Sequence, residues 1–68
     1  MNRWERQRDL LMFKIVAVQK DLRELGWLIE LPVTRNSPDN LERAIRLRTA
    51  LEGKLTKYRL ALQEANKH

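Results

Sequence analysis

The chain of 68 residues has no cysteine and one histidine, His68 at its last position. No disulfide can staple it, and no Cys/His set exists to hold a structural zinc. A cysteine-free chain suits a reducing compartment, so a cytoplasmic location is expected. Glycine and proline number two each. Gly26 and Gly53 stand isolated inside helical patterns, which leaves no glycine-rich loop to cradle a phosphate. No serine lies near a histidine, and no pair of acids stands at ligand spacing. The chain is therefore read as non-enzymatic, with no cofactor and no metal.

Long apolar runs are also missing. The longest spans residues 10–18, nine residues interrupted only by Lys14. A membrane-crossing helix needs about 20 apolar residues, so a spanning segment is not expected. The first residues, Met1-Asn2-Arg3-Trp4-Glu5-Arg6, mix charges, and no small-residue cleavage site follows the apolar run, which argues against a secretory signal.

What the sequence does contain is helix-forming periodicity and positive charge. Asn2 can cap a first helix, with Glu5 three residues on completing a capping-box-like pair. Trp4, Leu11, Ile15, Val18, Leu22, Leu25 and Ile29 then recur on alternating steps of three and four, with Arg8 in the one missing place, which is a heptad seam. The pattern ends at Leu31, because Pro32 disfavours helical geometry in the residue before it. Gly26 offers a competing end at Leu25, but the seam continues through Ile29, and the longer helix is preferred. Ser37-Pro38-Asp39 is a strong second start: a capping hydroxyl, a proline pre-set for the first helical position, and an acid at the positive end of the helix dipole. Its seam reads Leu41, Ala44, Arg48, Leu51, Leu55, Tyr58, Leu62 and Ala65. The expected organisation is one all-α domain over 1–68, with helix 3–30, loop 31–37 and helix 38–66.

Two helices of roughly 42 Å joined by a short loop favour an antiparallel hairpin. Facing seam residues then pair as Ile29 with Leu41, Leu25 with Ala44, Val18 with Leu51, Ile15 with Leu55, Leu11 with Tyr58 and Trp4 with Ala65. Leu22 faces Arg48, and Arg8 faces Leu62. At Arg48, Leu47 can turn inward while the guanidinium reaches out to water.

The seam leaves apolar residues unused. Leu10, Phe13 and Ala17 fall on the far side of the first helix, with Met12 and Val16 between them and Trp27 further along. A bare apolar patch of this kind marks an interface. A core this thin usually needs a second subunit when disulfides and metals are absent. The expected outcome is a homodimeric four-helix bundle whose interface includes Leu10, Met12, Phe13, Val16, Ala17 and Trp27.

Lysine and arginine total 14 against 9 acids, a formal charge of +5 with a sequence pI near 10.3. Such a balance favours acidic partners. Arg43, Arg46 and Lys57 form an outer stripe on the second helix with Ala50 and Gly53 between them and Lys54 and Arg59 flanking, while the hairpin brings Arg3 and Arg6 toward its far end. These cations suit a polyanion. The functional reading is a small helical adaptor or regulatory subunit acting through protein–protein association, with an acidic protein as a further partner. A basic hairpin dimer binding nucleic acid is the alternative. A membrane-surface role is disfavoured, because a lone lipid-binding helix would not need a matching seam on a second helix.

Overall fold

The computed structural model describes residues 3–67, and every element among them is helical. Helix α1 runs Arg3–Glu30, α2 is a single turn at Pro32–Arg35, and α3 runs Pro38–Asn66. The capping role expected of Asn2 lies outside the described residues, as does His68.

Helix α1 passes straight through Gly26, because no glycine adopts a positive φ and the left-handed cap that would end the helix there is not formed. It stops instead at the residue before proline. Leu31 sits in an extended conformation, φ −67° and ψ 139°, as steric conflict with the Pro32 ring requires.

The linking segment is not the plain loop expected over 31–37. Pro32, with its φ pre-set, starts a helical turn. The Thr34 and Arg35 amides donate to the Leu31 carbonyl at 3.0 Å each, and the Asn36 amide donates to that of Pro32 at 2.9 Å. Arg35 reaches back over the turn to Glu30 at 2.8 Å. Thr34 is buried beneath this turn. The turn resolves the demand that a tight link between long helices places on its backbone polar groups, which must find partners once they leave water.

Ser37 precedes α3 in extended geometry, and its hydroxyl accepts from the Asn40 amide at 3.5 Å, with Pro38 and Asp39 in the first turn. Its backbone carbonyl takes the Leu41 amide at 2.9 Å. These residues act as local composition demands, a cap followed by a pre-set φ and a dipole-matched acid.

The long helices lie side by side. Leu25 and Ile29, late in α1, cluster with Ala44, early in α3, and Leu41 and Leu51 pack against them. Further along, the Lys14 amine lies 5.6 Å from the centre of the Tyr58 ring. Leu11, Ile15, Val18, Leu25 and Ile29 are the buried residues of α1, whereas α3 buries only Ala44 and Ala65. Its larger seam residues, Leu41, Leu51, Leu55, Tyr58 and Leu62, are half-buried. Among the described residues no large side chain is fully enclosed. At the polar layer, Leu47 does not turn inward and stays 52% exposed, while Arg48 points out toward Glu52 at 3.9 Å.

Two substitutions probe this layer by urea unfolding. Leu25→Ala empties the centre of the buried cluster and should cost about 2–3 kcal/mol, the lower part of the usual range because the site is open on two sides. A Cβ at Gly53 meets nothing within 4 Å, so Gly53→Ala should stabilise by about 0.5–1 kcal/mol.

Candidate interaction surface

Each helix in a two-helix layer has one packed side, and the residues around the rest of its circumference must face something else. The chain exposes 5569 Å². A compact folded protein of its 8.2 kDa exposes about 4500 Å². The surplus, on the order of 1000 Å², is comparable with the roughly 800 Å² that one partner contributes to a standard interface. The shape agrees. The principal extents are 50 × 15 × 11 Å and the radius of gyration is 15.5 Å, against about 11 Å for a compact chain of this length.

The exposed surface includes many large apolar side chains. All six residues expected at an interface, Leu10, Met12, Phe13, Val16, Ala17 and Trp27, are exposed, Phe13 to 74%. They spread over an arc of about 160° on the side of α1 away from the buried stripe. At about 100° per residue, Phe13 stands nearly opposite the buried stripe of Leu11, Ile15 and Val18. Trp27 lies within about 40° of Phe13 in phase, while Met12 and Val16 turn toward one flank and Leu10 and Ala17 toward the other.

The Leu10 and Ala17 flank continues into surface that sequence reasoning passed over. Leu28 repeats the helical phase of Leu10 to within about 20°, and it forms one wall of a groove whose other wall is Leu47 of α3. Leu25 and Ala44 floor the groove near the link, where Val33 and Thr34 close its end. Leu51 extends it along the chain, and Asp21 and Glu24 form an acidic rim. Arg43 and Asn40 stand on the opposite rim. The missed signal was the common phase of Leu10, Ala17 and Leu28, spaced seven and eleven residues apart.

The cations expected to meet a polyanion are all exposed: Arg3, Arg6, Arg43, Arg46, Lys54 and Lys57. Arg3 and Arg6 border a shallow depression with Gln7 and Leu10. Arg46 is paired with Glu42 at 2.6 Å. Arg43, Arg46, Ala50, Gly53 and Lys57 fall within an arc of about 80° on α3, with Lys54 beside it. Arg59 does not flank this stripe, because its phase places it about 160° from Lys57. Among the described residues no group of three or more His, Cys, Asp or Glu side chains could hold a metal ion, and no helix is long and apolar enough to cross a membrane.

Comparison with protein-family models, with curated proteins and with solved structures finds no match to the chain.

The pair between Arg46 and Glu42 is solvated, with side chains 77% and 59% exposed. An exposed pair of this spacing contributes under about 0.5 kcal/mol. Arg46→Gln should therefore unfold within about 0.5 kcal/mol of the parent in urea, making it a clean probe of binding at the stripe.

Proposed function

We propose that the chain is a non-enzymatic association module, an antiparallel helix-loop-helix hairpin that pairs with a second copy into a four-helix bundle. In this reading it serves as a small cytoplasmic adaptor or regulatory subunit, and the exposed cations of α3 steer it to an acidic protein partner. The observation that carries the reading is the surface surplus: a layer with no enclosed large side chain presents apolar residues on both flanks of α1. Burying apolar area returns about 25 cal/mol per Å², which favours covering this surface against a cost of association of about 4–15 kcal/mol. The +5 charge raises the encounter rate with acidic surfaces and keeps a dimer soluble.

Sedimentation equilibrium at micromolar concentration should return twice the chain mass of 8.2 kDa. A folded species at the single-chain mass across that range would remove the self-association reading.

The alternative, a nucleic-acid-binding dimer, draws on one observation. The Arg43, Arg46 and Lys57 stripe is exposed, and the space beside Gly53 is open, so a phosphate backbone can come close. Retention of duplex or structured RNA should then fall steeply with salt, and replacing the three cations by glutamine should flatten the slope by roughly one unit for each cation removed. No retention at low salt eliminates this alternative and leaves the acidic protein partner in place.

A further inference from the structure

The pairing proposed above leaves open which face is covered, and the structure distinguishes the candidates. The layer has two broad faces and an outer edge on α1 where Phe13 stands. One broad face is assembled by contacts within the chain: Leu28 and Leu47 line a common groove with Asp21 and Glu24 on its rim, and Lys14 lies over the Tyr58 ring further along. Leu10, Ala17 and Asp21 share the phase of Leu28 within about 40°, so they extend the same face along α1.

We infer that this face receives the corresponding face of a second copy, with the two α1 helices stacked in opposite directions and Lys14 set against Asp21 of that copy. The inference rests on the self-association proposed above. Charge and shape complementarity under two-fold symmetry, in which each contact occurs twice, select this arrangement. Stacking α1 on α1 about a centre between Ala17 and Val18 brings Leu10 to the level of Leu25 in the second copy's groove. The same register brings Lys14 to Asp21 and leaves small Ala17 at the crossing, where the helices can approach closely. On α3 it brings Leu47 to the level of Tyr58, and Arg43 within two residues of Glu64. Opposite charges thus meet on both helices while the leucines enter the groove.

The competing stackings are poorer. Placing α1 over the second copy's α3, with the links at the same end, sets Lys14 at a level between Lys54 and Lys57. Stacking α1 on α1 in parallel sets each charge against itself, Lys14 on Lys14 and Asp21 on Asp21. Like charges held together disfavour both. Covering the face also hides Leu10, Leu28 and Leu47, which are 53%, 42% and 52% exposed in the single chain.

The test is charge exchange read by sedimentation equilibrium, with circular dichroism confirming helicity. Lys14→Asp and Asp21→Lys, each turning two attractive pairs repulsive, should each weaken the dimer about tenfold. The double variant Lys14→Asp/Asp21→Lys should recover most of that loss. The two positions are about 10 Å apart on one helix, so recovery reports contact between copies. Leu47→Glu should leave monomers, whereas Phe13→Glu should leave the dimer in place. A double variant no tighter than the singles, or a dimer split by Phe13→Glu but not by Leu47→Glu, would overturn the face and register while the self-association reading stands. A parent chain that is monomeric throughout would overturn both.

Discussion

A helix in a two-helix layer can bury only one side, and that constraint governs everything else about this molecule. The seam of α1 is satisfied by α3: Leu11, Ile15, Val18, Leu25 and Ile29 are buried against it. The reverse does not hold to the same degree, since α3 buries only two alanines and leaves its leucines half in water. A leucine lying over a neighbouring helix with no third element above it keeps part of its surface wet, whatever its rotamer. Stability from such a layer is limited to the seam, and hydrophobic burial is the dominant favourable term in folding. The apolar residues outside the seam therefore represent unrealised stabilisation, available to whatever covers them.

Local chemistry made the element boundaries readable. Ser37, Pro38 and Asp39 announce the start of α3, and Pro32 forces Leu31 out of helix, because both effects depend only on neighbouring atoms. Gly26 was ambiguous by the same local rules, and tertiary packing decided it: ending α1 there would have unwound Ile29 from the buried cluster. The turn α2 escaped notice because four residues are too few for a periodic pattern, while its hydrogen bonds emerge only when the chain ends are held at a fixed separation.

The interaction surface was less legible. The run at 10–18 plainly exceeded what one seam can use, and Leu10, Phe13 and Ala17 do fall within about 60° of one another on its far side, but a single helix does not show that Leu10 and Ala17 continue into a groove while Phe13 stands nearer the outer edge. The groove depends on Leu28 and Leu47 coming from different helices to face each other, which is a property of the layer and not of either stretch. Arg59 shows the same limit on the polar side, since sequence proximity to Lys57 says nothing about which way the side chain leaves the helix. Side-chain chemistry was easier to read than side-chain direction. The chain carries exposed apolar side chains and a formal charge of +5.

We propose that a second copy covers the layer and stabilises it, so that pairing and folding are coupled. Thermal unfolding followed by circular dichroism over a hundredfold range of protein concentration tests this most directly. Mass action requires the midpoint to rise steadily with concentration if the native state is a dimer and the unfolded state a single chain. A midpoint that stays constant across the range would contradict the account, because it would mean that the two-helix layer is stable alone.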